Sequence, residues 1–318
     1  MQSSNQRIVV LGTGGTIAGR SASAGDNVGY VAGEIGVEQL VGAVPPLAGQ
    51  LLEAEQVAQL DSKDMDHATW LRLAQRVAFH IARRDVQGVV ITHGTDTLEE
   101  TAFFLQRVLG PAKPVVMTAA MRPATALLAD GPQNLVDAVT LARESGVRGV
   151  VAVLNGQVFG AEDLRKLHSY RLDAFGAGDA GPLAVLEEGR LRRFREWPAG
   201  RPLGLAWLPS DPARWPRVEV LLSHAGASGA LVEALAAQGV RGIVVAGTGN
   251  GTVHHEMLAA LHRAQALRGV AVWRASRCAH GAVVGSAQGQ GGLVSAGALG
   301  PVKARIELML QLMAPSPA

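Results

Sequence analysis

The chain has 318 residues and one cysteine, Cys278. A lone cysteine excludes an intrachain disulfide and fits a reducing compartment. Charge of one sign is also scarce. The 29 Lys plus Arg against 27 Asp plus Glu leave +2, which gives no reason to expect a nucleic-acid partner. The one dense basic run, Arg190-Leu191-Arg192-Arg193-Phe194-Arg195, reads as solvated linker rather than phosphate patch. No stretch approaches the ~20 apolar residues of a membrane span, so no membrane partner is expected. Residues 1–7 lack an apolar segment ahead of the first expected strand, so no secretory signal is expected and the default location is cytoplasmic.

Cofactor and metal signatures are missing too. No Gly-Lys-Ser/Thr phosphate loop and no Gly-x-Ser-x-Gly elbow occur. His254 and His255 are adjacent and cannot share a helix face, and His93 has no co-ligands at zinc spacing. Asp61, Asp64 and Asp66 lack the spacing and distal Glu of a calcium loop. No metal and no cofactor are expected.

What is present is a 48% hydrophobic composition and 39 glycines, enough for a large core with many tight turns. Short β-branched runs at 8–11, 57–60, 88–91, 114–117 and 149–154 alternate with helical patterns such as 66–84 and 132–144. Near-continuous apolar strands between helices imply an α/β fold with a mostly parallel sheet covered on both faces. The alternation stops around 190–216, where five prolines and three tryptophans fall, and resumes to the end. The expected organisation is an N-terminal α/β catalytic domain over 1–190, a linker over 191–216 and a smaller C-terminal α/β domain over 217–318.

Ligands of open parallel sheets bind beyond the carboxyl ends of the strands. After the N-terminal strands come Gly12-Thr13-Gly14-Gly15-Thr16, then Asp61-Ser62-Lys63-Asp64, then Thr92-His93-Gly94-Thr95-Asp96-Thr97. Next come Thr118-Ala119-Ala120-Met121-Arg122 and a loop with Asp163 and Lys166. The set is rich in hydroxyls. The first glycine loop fails the dinucleotide pattern, because its third glycine position is Ile17. By itself it is as much a tight turn as a site. The Asp96/Glu99 or Thr97/Glu100 spacing also matches a helix capping box.

Two segments carry a resemblance: Gly12-Thr13-Gly14-Gly15-Thr16-Ile17-Ala18, and the run from Gly88 through Thr92-His93-Gly94-Thr95-Asp96-Thr97 to Leu98. With Tyr30, Ser62, Asp130-Gly131-Pro132, Lys166, Gly249-Asn250-Gly251 and Lys303-Ala304-Arg305, in order along nearly the whole chain, the sequence resembles the bacterial L-asparaginase/glutaminase family of two-threonine amidohydrolases. The resemblance implies hydrolysis of L-asparagine to L-aspartate and ammonia, with a possible side activity on L-glutamine. It implies Thr16 as nucleophile on a lid with Tyr30, and Thr95, Asp96 and Lys166 as a second, triad-like group. Gly15, Ser62, Lys63, Gly94, Ala120 and Thr252 fall at substrate-contact positions. The family also implies a homotetramer, a dimer of dimers with sites at subunit interfaces.

Three departures bear on specificity. Lys63 stands where relatives usually carry Gln or Glu toward the substrate ammonium. The segment Gly281-Ala282-Val283-Val284-Gly285-Ser286-Ala287-Gln288 supplies no acidic residue where relatives often lend one to a neighbour. Thr252 stands where they carry Asn or Ser. Broad glutaminase-asparaginase specificity, an ammonia-releasing amidotransferase subunit, a nucleotide-binding oxidoreductase and a non-catalytic amino-acid sensor are the competing readings.

Overall fold

The β-branched run beginning at Arg7 becomes a strand of eight residues, seven of them buried, and it sits inside the sheet rather than at its edge. The computed structural model describes residues 6–23, 25–200, 202–285 and 292–314, in two units, Met1–Leu205 and Ala206–Ala318.

In the first unit the strands are β1 (Arg7–Gly14), β2 (Arg20–Ser21), β3 (Tyr30–Val31), β4 (Leu52–Leu60), β5 (Val86–Thr92) and β6 (Pro114–Thr118). They continue with β7 (Gly149–Leu154), β8 (Gln157–Gly160), β9 (Arg165–Lys166), β10 (Phe175–Gly176), β11 (Ala184–Glu187) and β12 (Arg190–Arg193). The helices are α1 (Val37–Gly42), α2 (His67–Ala82), α3 (Leu98–Leu109) and α4 (Gly131–Arg143). The main sheet runs β12-β11-β8-β7-β6-β5-β1-β4. Its β4-β1-β5-β6-β7 part is parallel, and β8, β11 and β12 extend it antiparallel.

Strand alternation sorts the core. Ile8, Val10, Val90, Val116 and Val151 meet Val37, Leu40, Leu135 and Ala138 of α1 and α4. The intervening Val9, Leu11, Val89 and Ile91 are equally buried on the α2 side. There Trp70 stacks on Phe104 with ring centroids 4.9 Å apart, and its Nε1 donates to Thr101 Oγ1 at 2.9 Å. Asp66 caps α2, its carboxylate accepting from the Thr69 N–H at 2.7 Å. α3 ends where Gly110 turns left-handed at φ 42°.

The order in which strands are added reverses about β1. The connection after β1 leads to β4 on one side, and the next, through α2, leads to β5 on the other. Such a switch point opens a crevice at the carboxyl ends of the strands. The loops after β1, β4 and β5 line it.

The stretch expected to be linker behaves differently at its start. Arg190–Arg193 is a sheet strand, paired Leu191 to Leu186. Its arginines meet carboxylates: Arg192 with Glu187 at 3.2 Å, Arg193 with Glu196 at 3.3 Å, and, just beyond, Arg195 with Asp163 at 2.9 Å. Leu191 packs inward while the charges line a sheet edge, a pattern that discourages edge pairing.

The second unit has its own parallel sheet, ordered β13-β14-β15-β16: β13 (Val218–Leu222), β14 (Gly242–Gly247), β15 (Ala271–Ser276) and β16 (Val294–Ser295). Helices α5 (Ala230–Ala237) and α6 (His255–Arg268) bury Val232, Met257 and Leu261 against Ile243, Val245 and Val272. α7 (Pro301–Met313) packs on β13, β14 and β15.

Candidate active site

The glycines after β1 are there because backbone meets backbone. Gly14 and Gly15 have φ of 99° and 80°, a region that disfavours side chains. A Cβ on Gly14 would lie 2.7 Å from the Leu60 nitrogen. A Cβ on Gly15 would overlap the Cα and nitrogen of Gly94, and one on Gly94 would overlap Ser62 Oγ. The loops after β1, β4 and β5 therefore touch at Gly15, Ser62 and Gly94. Thr13 joins them further, its Oγ1 donating to the Thr92 carbonyl at 2.9 Å.

Two hydroxyl groups stand on this frame. Thr16 Oγ1 lies 2.6 Å from the Tyr30 hydroxyl. Tyr30 is delivered by the short β2–β3 hairpin, and its ring lies against Gly19, where a Cβ would come within 2.9 Å of it. Thr95 Oγ1 accepts from Lys166 Nζ at 2.9 Å, and Lys166 Nζ also donates to Asp96 Oδ1 at 2.6 Å. Because lysine occupies an acceptor lone pair of Thr95, the Thr95 proton is free to point elsewhere. Thr16 and Thr95 are both buried, whereas the Asp96 side chain is about half exposed.

Ser62 is 2% exposed and its Oγ accepts from the Asp96 N–H at 3.2 Å, so its own proton can serve an anion. Thr97 Oγ1 donates to the Ser62 carbonyl at 2.8 Å, and the Thr97 side chain makes no cap bond to α3. The capping-box reading of this segment is thereby corrected: Asp96 is spent on Lys166 and Thr97 on Ser62. Glu99, read only as a capping partner from sequence, accepts from the Lys166 backbone N–H at 3.2 Å.

Lys63 does not act as a bare cation. Its Nζ lies 2.7 Å from Asp61 and 3.1 Å from Asp64, which hold the ammonium above its ordinary range, Asp61 the more strongly. His93 is fully buried, and burial pushes it down to about 4 even though Nδ1 meets the Gly94 carbonyl at 2.7 Å. It is a neutral imidazole at neutral pH. Ala120 is buried just past β6, beside Gly131, where a Cβ would be 3.4 Å from Ala120 Cβ and 2.9 Å from Ile17.

Gly15, Thr16, Tyr30, Ser62, Gly94, Thr95, Asp96 and Lys166 are thus brought together within the first unit. Thr252 belongs to the second. There it closes the Gly249–Gly251 turn through reciprocal backbone bonds with Thr248 and a 2.6 Å hydroxyl contact. Of the segment read for a missing acid, Ser286, Ala287 and Gln288 lie outside the described residues. Among the described residues no cluster of three His, Cys, Asp or Glu could hold a metal, and no helix is long and apolar enough to cross a membrane.

Comparison with known proteins decides the lineage. Residues 7–199 match the family described as Asparaginase, N-terminal, and residues 217–316 match the Glutaminase/Asparaginase C-terminal domain. The chain belongs to the asparaginase family. It is 40% identical over 314 residues to L-asparaginase 2 of Escherichia coli, covering 96% of this chain and 88% of that one. It is 38% identical over 312 residues to a glutaminase-asparaginase of Pseudomonas fluorescens, covering 96% and 86%. A crystal structure of a probable cytoplasmic L-asparaginase from Campylobacter jejuni superimposes with a TM-score of 0.92 at 38% identity, over 98% of this chain and 96% of that one. A 36% identical Haemophilus influenzae relative is described as a probable periplasmic L-asparaginase. This asparaginase chain thus has relatives of both specificities and both locations.

Proposed function

We propose that the protein hydrolyses L-asparagine to L-aspartate and ammonia through an acyl ester on Thr16. The family sets the reaction class, hydrolysis of a linear amide. The observation that carries the reading is the pairing of two threonine hydroxyls across the Gly15–Gly94 contact, one on Tyr30 and one on Lys166–Asp96.

Thr16 Oγ attacks the side-chain carbonyl carbon, and the C–N bond breaks. The Thr16 proton passes to Tyr30 Oη as Tyr30 gives its own to the departing nitrogen, so ammonia leaves and Tyr30 is unchanged. Water then cleaves the ester, one proton returns to Thr16 Oγ, and aspartate is released. The Thr95 hydroxyl, oriented by Lys166, stabilises charge at the reacting carbonyl and positions the water. Each such donor contributes roughly 3–4 kcal/mol in other amidohydrolases. Ser62 and Asp96 take the α-carboxylate and α-ammonium, Gly15 and Gly94 give the substrate its close backbone approach, and the Ala120 backbone contacts the scissile amide.

The N-terminal unit carries the catalytic groups in this reading, and Thr252 completes a neighbour's site in a homotetramer, a dimer of dimers. Size-exclusion chromatography with light scattering then gives four times the 33.1 kDa chain mass. A cytoplasmic location rests on the single cysteine and on the Campylobacter jejuni relative. Glutamine is the second substrate, turned over more slowly. Ammonia release from purified protein tests the proposal: activity on asparagine is expected, and full activity in Thr16→Ala and Thr95→Val contradicts it.

A further inference from the structure

Lys166 has to be held at its root as well as at its tip. Its Nζ meets Thr95 and Asp96, but the Asp96 side chain is 53% exposed. An ion pair that open to water fixes a four-carbon stem weakly, because side-chain entropy and solvent offset the attraction. The main sheet does not carry Lys166 either. It lies on β9, which pairs with β10 in a two-stranded ribbon of its own. So short a ribbon has little independent stability.

The register of that ribbon decides where the Lys166 main chain points. Lys166 stands opposite Phe175, and Leu167 donates its N–H to the Ala174 carbonyl at 2.7 Å. Hydrogen-bonded and non-hydrogen-bonded pairs alternate along an antiparallel ladder. Leu167 turns its N–H inward to β10, so Lys166 turns its own outward. The outward N–H meets Glu99 Oε1 at 3.2 Å. Glu99 sits in the first turn of α3, where its carboxylate also faces the positive end of the helix. Thr95, Asp96 and Glu99 belong to one short segment. That segment therefore grips Lys166 at both ends, by its ammonium and by its main chain.

We propose that Glu99 is a positioning residue whose carboxylate anchors the Lys166 main chain and so delivers Nζ to Thr95. The inference rests on the reading of Lys166 as the partner of Thr95 and deepens it. A lysine whose root drifts loses its alignment on Thr95, and a misplacement of about 1 Å can cost roughly 100-fold in rate. Lys166 serves the reacting carbonyl and the water rather than the α-carboxylate, so the loss falls on kcat and spares KM.

The test is a double-mutant cycle read in asparagine kinetics on the full-length protein. Glu99→Ala is expected to lower kcat roughly 10- to 100-fold and to change KM less than about threefold. Glu99→Gln keeps an acceptor oxygen and is expected to hold kcat within about threefold of wild type. Glu99→Met, with the stem but no acceptor, replaces the alanine variant if that one does not fold. Lys166→Met alone lowers kcat roughly 10³-fold. Adding Glu99→Ala to it is expected to lower kcat no further, because a residue that acts through another then has nothing to act on. Multiplied losses in the double variant, Glu99→Gln as impaired as Glu99→Ala, or a Glu99→Ala kcat within about threefold of wild type overturn the proposal and leave the Lys166 reading standing. A Lys166→Met kcat within about tenfold of wild type overturns both.

Discussion

Gly15 and Gly94 meet backbone to backbone: a Cβ on Gly15 would overlap Gly94, and one on Gly94 would lie 3.1 Å from Gly15 Cα and overlap Ser62. That contact sets the spacing of the two threonines, one residue beyond each glycine. Gly94→Ala is expected to reduce kcat/KM by roughly 100-fold or more, because its Cβ overlaps Ser62 Oγ and the loops must part. Gly15→Ala adds strain of roughly 1–3 kcal/mol at φ 80° and also lowers the melting temperature. Asparagine kinetics with thermal melts check both, and wild-type kinetics in either variant would contradict the contact's role.

Lys166 is held by Asp96 at 2.6 Å and serves Thr95 at 2.9 Å. Lys166→Met removes the donor while keeping the stem. A fall in kcat of roughly 10³-fold with little change in KM is expected. A kcat within tenfold of wild type would show that Thr95 needs no such partner.

Lys63 is paired with Asp61 and Asp64. Lys63→Gln leaves both carboxylates and makes the site rim one charge more negative. The KM for asparagine should fall roughly two- to fivefold through attraction of the α-ammonium, an effect that fades near 1 M salt. kcat should not change. A raised KM, or one indifferent to salt, contradicts this reading, and parallel glutamine kinetics show whether the amide preference moves as well.

His93 gives a pH signature. Burial holds its folded value at about 4 against an ordinary 6.5. Between these values the unfolded chain binds a proton that the folded chain does not. The stability is therefore complete above pH 6.5 and is lost as pH falls toward 4, by up to roughly 3 kcal/mol. Chemical denaturation from pH 7 to 5 should show the decline, and His93→Gln should flatten it. The window ends there because Glu53, Glu55 and Asp66, all held below their ordinary values by hydrogen-bonded partners, add their own losses at lower pH. Equal slopes in the two proteins would refute the assignment to His93.

Strands 8–11, 88–91 and 149–154 were legible as unbroken apolar runs, since each is buried on both faces. Leu52–Leu60 extends five residues before the run visible in the sequence, because an edge strand mixes Glu53, Glu55 and Gln56 with its apolar positions. Arg190–Arg193 hid for the same reason: only Leu191 turns inward. Within the site, Thr16, Thr95 and Lys166 could be named from the family pattern. The contacts of Asp130 and Glu99 could not, because Asp130-Gly131-Pro132 also spells an ordinary helix start. Asp130 accepts from the backbone N–H groups of Met121 and Arg122, nine and eight residues before it, and Glu99 from that of Lys166, 67 residues on, and neither choice of partner follows from the local pattern.

The central claim is that Thr16 carries the acyl group. Intact-mass and peptide-mapping spectrometry on protein acid-quenched during asparagine turnover tests it directly. The account predicts a mass increase of one aspartyl group on the peptide containing Thr16, lost together with ammonia release in Thr16→Ala. An aspartyl group on the Thr95 peptide, or undiminished turnover by Thr16→Ala, would contradict it.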